Sequence, residues 1–244
     1  MIEKTTPPQP LQNNQQNLKV DLIEYLTARI SHDLSNPMMI FNNVLEIIKA
    51  KNYQCTNREL REYVDMLTTS SLRLNMHVKT LAYFNSQRLH VKRESLLQII
   101  KNVISGLCIP PSIRISLPKK DTRIEMDVEQ METLLFILVS NALQVLNNKG
   151  VIMIRLKEFD DDVVLEVEDV GDGITMELLP KLFDPTFINR KVGSCLGLPT
   201  CKRIIENHGG AISVDSNPFG TTFSLKLLKK IDVHSNLISF LSRM

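Results

Sequence analysis

The sequence predicts an α+β protein in which a helical hairpin forms a dimeric four-helix bundle and is followed by an α/β sandwich. Apolar residues recur at helical spacing in two stretches near the start, and a short polar break separates them. Further on, short alternating strand patterns are interspersed with helical ones. We divide the chain into a disordered lead-in (1–17), the hairpin (18–90), the sandwich (91–229) and a tail (230–244).

The composition is that of an ordinary globular protein with balanced charge. Of 244 residues, 43% are hydrophobic, and 29 Lys and Arg against 27 Asp and Glu give a formal net charge of +2. This balance argues against nucleic acid or an anionic membrane surface as the main partner. Aromatic residues at 5%, with no Trp, argue against a base-stacking surface. No apolar run reaches the roughly 18 residues of a membrane span, and the N-terminal residues lack a signal-peptide core. We therefore expect a cytoplasmic protein.

Two helical stretches make up the predicted hairpin. In the first, residues 18–50, the apolar stripe comprises Leu22, Leu26, Ile30, Leu34, Phe41, Val44 and Ile48. After a break at residues 51–57, a second stripe has heptad spacing with one polar position: it comprises Leu60, Val64, Leu67, Ser71, Leu74, Val78 and Leu81. A hairpin with one apolar stripe per helix does not cover itself, so we expect two hairpins to pack face to face as a homodimer. The alternative is a coiled spacer without chemistry.

A histidine in the first helix is the candidate nucleophile. His32 lies off the apolar stripe and is expected to face outward, and Asn36, four residues on, shares its face. Pro37 removes a helical hydrogen bond at a cost of about 3 kcal/mol or more, which suggests a functional site, although a plain packing kink gives the same pattern. A neutral imidazole is a usable nucleophile near neutral pH. Asp33 would hold one ring nitrogen as N–H if the kink brings the two side chains together.

The second half predicts three helices and six strands. The helices cover residues 95–107, 128–146 and 198–208, and Asp127 is a good N-cap for the second of them. The strands cover residues 113–117, 122–126, 151–159, 163–168, 211–216 and 221–228. This order of elements predicts one sheet with helices on one face. The tail has amphipathic spacing and is expected to pack on the domain or on a partner.

Four segments of the second half carry residues suited to ligand binding. Asn141, within Ser140–Gln144, offers an amide oxygen to a hard cation. Asp169–Ile174 places a carboxylate and two glycines at the end of a strand, where they suit close backbone approach and an exocyclic amine. A loop runs from Leu182–Pro185 to Gly193–Leu198 and opens onto a helix, whose free N–H groups favour phosphate. Each segment alone is also ordinary turn chemistry, but chance explains their order and spacing poorly.

In this order the motifs resemble those of the two-component sensor histidine kinases. The resemblance covers about residues 20–228 and rests on the segments similar to the H box (His32–Pro37), the N box (Asn141–Gln144), the G1 box (Asp169–Ile174), the F box (Leu182–Pro185), the G2 box (Gly193–Leu198) and the closing strand motif (Gly220–Phe223). It implies a helical dimerisation and phosphotransfer domain followed by an ATP-binding domain of the GHKL superfamily.

The resemblance implies a cytoplasmic histidine kinase that phosphorylates His32 from Mg-ATP. The phosphoryl group would then pass to an aspartate on the receiver domain of a response regulator. Asp33 would act as the general base or as the residue that orients His32. Asn36 would position water when the enzyme dephosphorylates its regulator. Because nucleotide and histidine lie on different domains, the junction near residues 85–93 is expected to act as a hinge.

The resemblance also assigns a nucleotide site. Asn141 would bind Mg²⁺, and Asp169 would bind the adenine amine. The other positions are Gly171 and Gly173 at the adenine, Gly193, Gly197 and Leu198 along the phosphates and lid hinge, Arg190 and Lys191 on a short lid, and Thr222 in the closing strand. Arg190 and Lys191 either meet phosphate charge or belong to a solvated loop.

Three departures from the family pattern leave a second function open. The N box usually carries another Asn where this chain has Ile137, Cys195 replaces the middle glycine of the G2 box, and Pro199 follows Leu198. The alternative function is a dimeric histidine phosphotransferase that relays phosphate between receiver domains without binding ATP. A serine kinase or ATPase of the same superfamily is opposed by the hairpin with His32, since such proteins need no phospho-accepting helix.

Overall fold

The computed structural model describes most of the α/β half and part of the helical half. The described residues are 27, 30–31, 34–35, 38–39, 41–50, 58–85, 89–107, 109–147, 149–185 and 196–231. The predicted site residues outside these ranges are His32, Asp33, Asn36, Arg190, Lys191 and Gly193. The predicted lead-in and residues 232–244 of the predicted tail also lie outside them.

Helices and strands follow one another as the sequence predicts, with one additional strand. The name α1 is used here for the described helical residues between 27 and 50. The other helices are α2 (Arg58–Asn85), α3 (Leu96–Gly106), α4 (Val128–Val145) and α5 (Gly197–Asn207). The strands are β1 (Val91–Ser95), β2 (Ile113–Ser116), β3 (Arg123–Asp127), β4 (Gly150–Glu158), β5 (Asp162–Asp169), β6 (Ala211–Asn217) and β7 (Gly220–Leu228), and a 3₁₀ turn covers Leu179–Lys181.

Polar contacts join α1 to α2. The Ser31 hydroxyl donates to the carbonyl oxygen of Val78 at 3.2 Å, and the Ser71 hydroxyl donates to the side-chain oxygen of Asn42. From Ser31 to Asn42 the residue number rises along α1, while that of the partner on α2 falls from Val78 to Ser71. The two helices therefore run antiparallel. The heptad position that the sequence marks as polar, Ser71, is therefore buried between the helices.

The five described residues of the predicted apolar stripe of α1 do not face α2. Ile30 is 46% exposed, and Leu34, Phe41, Val44 and Ile48 are exposed as well. The side of α1 that packs on α2 carries Ser31 and Leu45 instead. On α2, Val64 is buried, whereas Leu67 and Leu74 are 45% and 50% exposed. Each helix thus presents uncovered apolar side chains to its surroundings.

The α/β half is a mixed five-stranded sheet covered by helices. The strand order is β2-β4-β5-β7-β6, with β2 and β4 parallel and the other neighbours antiparallel. Helices α3, α4 and α5 pack side by side, and their apolar residues form one core with the inward residues of the strands. Successive side chains of a strand point to opposite faces of the sheet, and the apolar ones point towards the helices, so that Ile152, Leu165 and Leu225 are fully buried.

Strand β1 is an element that the sequence analysis missed. It pairs antiparallel with β3 in a separate two-stranded sheet, so the prediction that all strands belong to one sheet was wrong for β3. Its residues Lys92, Arg93 and Glu94 are charged and do not alternate with apolar ones, so nothing in the period indicated a strand. The predicted N-cap of α4 is confirmed, because the Asp127 side chain accepts a hydrogen bond from the Gln130 N–H at 3.1 Å.

The C-terminal end of the described chain lies against β3. The Glu125 N–H donates to the carbonyl oxygen of Lys229 at 3.0 Å, and the Ile231 N–H donates to the Glu125 carboxylate at 2.9 Å. Ile231 is buried. The fold therefore extends two residues beyond the predicted domain boundary at residue 229.

The last turns of α2 pack against α4 and α5. The Tyr83 hydroxyl donates to the Glu129 carboxylate of α4 at 2.8 Å, and the Lys79 ammonium lies 3.7 Å from the same carboxylate. On α5, the Thr200 hydroxyl donates to the carbonyl oxygen of Thr80 at 3.3 Å. These contacts set the N-terminal end of α5 beside the hairpin.

Within the described ranges, no helix is both long and apolar enough to cross a membrane.

Candidate functional site

A buried carboxyl group at the end of β5 is the centre of the candidate site. Asp169 is the last residue of β5, and its Oδ1 accepts a hydrogen bond from the Gly171 N–H at 2.9 Å. Burial raises the pKa of the Asp169 carboxyl above its ordinary value, although hydrogen bonds from the Gly171 and Thr221 backbones favour the charged form. A carboxyl group held away from water in this way is a strong acceptor for a ligand N–H group.

The two glycines after Asp169 are required by close packing. A Cβ on Gly171 would lie 2.8 Å from the Val145 side chain of α4. Gly173 has a φ of 70°, and a Cβ there would lie 1.9 Å from the carbonyl oxygen of Asn217. The segment from Asp169 to Gly173 is thus fitted between the end of α4 and the end of β6.

Asn141 lies on the side of α4 that leads to this segment. It is partly exposed and precedes Val145, the neighbour of Gly171, by one helical turn. Its amide oxygen is a ligand type that Mg²⁺ accepts, and Mg²⁺ bound through nucleotide phosphates needs only one or two protein ligands. Among the described residues, no group of three or more His, Cys, Asp or Glu could hold a metal by itself. This donor set fits a magnesium ion shared with phosphates.

Ile137, where a second asparagine was expected by resemblance, is buried in the core. It packs with the apolar face of α4 one turn before Asn141. An asparagine side chain at this depth would need its own hydrogen-bond partners. The position therefore serves packing in this chain.

The N-terminus of α5 forms the other end of the candidate site. Gly197 and Leu198 are buried in its first turn, as is Pro199. The first helical hydrogen bond runs from the Thr200 N–H to the Leu196 carbonyl oxygen at 3.0 Å, so Pro199 costs the helix no hydrogen bond. Pro199 therefore occupies the first helical turn, where a proline is tolerated. The free N–H groups of such a turn suit phosphate oxygens.

Thr222 does not lie beside Asp169. In the register of β5 and β7, Asp169 pairs with Thr221, and Glu168 pairs with Thr222. Directly paired residues share a face of the sheet, so the Thr222 side chain lies on the outer face with Glu168. Thr221 is buried on the inner face with Asp169. We therefore replace Thr222 by Thr221 in the candidate site.

Comparison with known proteins agrees with this geometry. Residues 126–231 match the family of histidine kinase-, DNA gyrase B- and HSP90-like ATPases. Sporulation kinase A of Bacillus subtilis is 28% identical over 225 residues, which cover 87% of this chain and 36% of that protein. Sensor histidine kinase ZraS of Salmonella typhimurium is 28% identical over 205 residues, which cover 81% of this chain and 44% of that protein.

Solved structures give the same result. A catalytic domain of histidine kinase ThkA is 27% identical, with a TM-score of 0.53, over 58% of this chain and 99% of that domain. The complex of ThkA with the response regulator protein TrrA contains a chain that is 26% identical, with a TM-score of 0.56, over 89% of this chain and 65% of that one. Residues 126–231 thus match an ATPase family that includes the histidine kinases, and most of the chain is similar to curated sensor histidine kinases. It spans 36% and 51% of the lengths of two curated relatives, sporulation kinases A and C of Bacillus subtilis.

The structure brings together the family motifs that lie in the described ranges. Asn141 of the N box lies one helical turn before Val145, against which Gly171 of the G1 box packs, and Gly197 and Leu198 of the G2 box begin α5. In the F box, Leu182 is buried in the core, and Phe183 packs against it. The H-box residues His32, Asp33 and Asn36, and the lid residues Arg190, Lys191 and Gly193, are outside the described ranges and stay predictions.

The sequence analysis missed Thr221, a residue of this candidate site, and Ser216, which contacts it. Thr221 could have been found by counting the alternation of β7 from its apolar inward residues, because Phe223, Leu225 and Leu227 share its face. Ser216 contacts Thr221 across β6 and β7, and no local signal in the sequence indicates that contact.

Proposed function

We propose that this chain is a protein-histidine kinase that phosphorylates His32 from Mg-ATP and passes the phosphoryl group to a response-regulator aspartate. The observation that carries the proposal is the buried Asp169 carboxyl, whose oxygens are held by backbone N–H groups within a domain of the ATPase family. Such a carboxyl suits the amino group of adenine. A relay that binds no ATP is not favoured, because it has no use for this pocket.

The proposed reaction is a phosphoryl transfer to nitrogen. A ring nitrogen of neutral His32 attacks the γ-phosphorus, the bond from that phosphorus to the bridging oxygen breaks, and ADP leaves with the electron pair. Asp33 holds the other ring nitrogen as N–H and stabilises the positive charge that develops on the ring. Positioning and charge neutralisation supply most of the catalysis in such reactions.

The packing of the hairpin supports this assignment. Ser31, which precedes His32, contacts Val78 of α2, and Thr200 of α5 contacts Thr80. The residue next to the proposed nucleophile and the N-terminal end of α5 thus meet the same turn of α2. Phosphate bound at α5 would be close to the level of Ser31 along the hairpin.

The remaining proposed roles concern the nucleotide phosphates. Mg²⁺, when bound, supplies charge neutralisation at the phosphates. Asn141 would hold the ion through its amide oxygen. Gly197 and Leu198 would offer backbone N–H groups of α5, and Gly193 would let the backbone approach the phosphates. Arg190 and Lys191 would meet phosphate charge.

The exposed apolar residues of the hairpin support a homodimer. Leu67 and Leu74 of α2 and Ile30 and Phe41 of α1 are uncovered in one chain. A second copy packed on these stripes would complete a four-helix bundle and remove this surface from water. A receiver domain would dock on the bundle near His32, and Asn36 would position water for dephosphorylation of that domain. ATP as the substrate favours a cytoplasmic location.

The test is transfer of label from [γ-³²P]ATP in the presence of Mg²⁺. Wild type is expected to gain an acid-labile label, and His32→Ala is expected to lose it. His77→Ala is the matched control, because His77 is an exposed histidine of α2 close to the level of Ser31. The proposal is overturned if His32→Ala keeps the label, or if wild type gains none while binding ATP.

A further inference from the structure

Ser216 joins the two segments that frame Asp169. Its hydroxyl oxygen accepts a hydrogen bond from the Ile174 N–H at 2.8 Å. It also lies 3.1 Å from the carbonyl oxygen of Gly220 and 2.8 Å from the hydroxyl oxygen of Thr221. Ile174 ends the loop that begins at Asp169, and Thr221 pairs with Asp169 across the sheet. Ser216 thus lies below the base-binding end of the site without being part of it.

The number of protons decides how these groups are oriented. A serine hydroxyl has one proton to donate and two lone pairs to accept with. The carbonyl oxygen of Gly220 has no proton, so the Ser216 proton must go to it for that contact to be a hydrogen bond. The remaining contact is then a hydrogen bond only if the Thr221 hydroxyl donates to Ser216. Only in this arrangement is each of the three contacts of Ser216 a hydrogen bond with its own proton.

The arrangement has a consequence for the ligand. Thr221 pairs with Asp169 in the register and shares the inner face of the sheet with it. With its proton directed to Ser216, the Thr221 oxygen keeps only lone pairs for a ligand group that reaches this face. The ionised Asp169 carboxyl also offers only lone pairs. Two neighbouring acceptors attract an amino group and repel a carbonyl oxygen. Adenine presents an amino group at the position where guanine presents a carbonyl oxygen.

We propose that Ser216 is a positioning residue that determines base specificity: it directs the Thr221 proton away from the ligand, so that this end of the site selects an aminopurine over an oxopurine. The inference rests on the proposed nucleotide site and adds to it the residue that sets the polarity of the base contacts. Ser216 itself does not touch the base.

The test is the ratio of dissociation constants for Mg-GTP and Mg-ATP, measured by calorimetry on the full chain. Wild type is expected to bind ATP and to discriminate against GTP. Ser216→Ala frees the Thr221 proton to point at the ligand, so ATP binding should weaken about threefold to tenfold and the ratio should fall about tenfold. A purely structural serine would weaken both nucleotides equally and leave the ratio unchanged, which would overturn the inference.

Thr221 variants test the same network without changing Ser216. Thr221→Ser keeps the hydroxyl and should keep the ratio, whereas Thr221→Val should lower it. When Thr221→Val is already present, adding Ser216→Ala should leave the ratio unchanged, because valine has no hydroxyl proton for Ser216 to orient. A further fall in the ratio would contradict the inference. Thr222→Val is the matched control on the outer face of the sheet and should alter neither affinity.

The outcomes separate this inference from the proposed function. A wild-type chain that binds ATP and GTP equally overturns the role of Ser216 and leaves the kinase proposal standing. A wild-type chain that binds neither nucleotide overturns both. Thermal unfolding of each variant shows whether an affinity change comes from loss of fold.

Discussion

The imidazole of His208 accepts a hydrogen bond from the backbone N–H of Asp127 through Nε2 at 3.0 Å. Its Nδ1 lies 2.7 Å from the carbonyl oxygen of Ile204, so the neutral ring carries its proton on Nδ1. The buried ring thus links the end of α5 to the N-terminus of α4. A doubly protonated ring would set an N–H against the Asp127 N–H and lose this link.

We predict that acid weakens the fold through His208. Burial lowers the pKa of His208 below its ordinary 6.5. As pH falls below that value, the unfolded chain takes up a proton that the folded chain resists, so the free energy of unfolding decreases. Urea unfolding from about pH 8 to about pH 5.5 measures this slope. His208→Gln, which keeps a donor and an acceptor, should show a smaller slope; equal slopes would contradict the prediction.

Asp169→Asn should separate ligand binding from stability. The raised pKa of Asp169 means that its ionised form costs folding free energy at neutral pH, and asparagine removes this cost while still accepting from Gly171. The melting temperature without ligand should equal or exceed that of wild type, while ATP binding weakens about tenfold to a hundredfold. Asp172→Asn, an exposed carboxyl in the same loop, should bind as wild type does. Loss of binding in both variants would show that loop charge, rather than the Asp169 pocket, holds the nucleotide.

Charge on the hairpin stripe should dissociate the proposed dimer. Leu67→Lys together with Leu74→Lys places two ammonium groups where a second copy would pack, and desolvating them costs several kcal/mol by the order of magnitude known for buried charges. Sedimentation equilibrium should then report a monomer with unchanged ATP affinity. Met176→Lys, on an exposed side chain of the α/β half, is the control and should leave the dimer intact. A double variant that stays dimeric would place the interface elsewhere.

The contact between Tyr83 and Glu129 should tie the hairpin to the α/β half. Burial and the hydrogen bond to Glu129 raise the pKa of the Tyr83 phenol far above its usual range, so it remains a donor at any physiological pH. Tyr83→Phe and Glu129→Gln, alone and combined, should give a coupling free energy of about 1 kcal/mol in unfolding experiments. Glu206→Gln, which alters an exposed pair with Lys202, should couple to neither. Additive effects of the two variants would mean that this contact contributes nothing.

Local chemistry made most of the α/β half predictable from sequence. Asp127 predicts the start of α4, because a side-chain acceptor at the N-cap accepts a hydrogen bond from a free N–H group of the first turn. The strands of the large sheet were predictable from the alternation of apolar and polar residues, as in β7, where each inward residue is buried. Strand β1 carries no such alternation, since it forms a small sheet with β3 and its charged residues lie in solvent.

Pairings across the chain could not be predicted. Thr221 and Thr222 are chemically alike: the alternation of β7 indicates that Thr221 faces inward, but only the register with β5 pairs it with Asp169. On α1, the apolar period is real, but the side that packs on α2 carries polar residues such as Asn42, which contacts Ser71. A one-dimensional pattern records which side of a helix is apolar and leaves open what covers it.

The pairing of Lys229 with Glu125 has a practical consequence for shortened versions of the protein. The residues after β7 occupy the free side of β3, so a chain that stops before Lys229 leaves unpaired backbone groups along that strand. Such a truncation offers a template on which other molecules can add strands, and it should aggregate even though every nucleotide contact is retained. A nucleotide-binding fragment designed for crystallisation should therefore keep the chain through Ile231, whose buried side chain holds this closing segment in place.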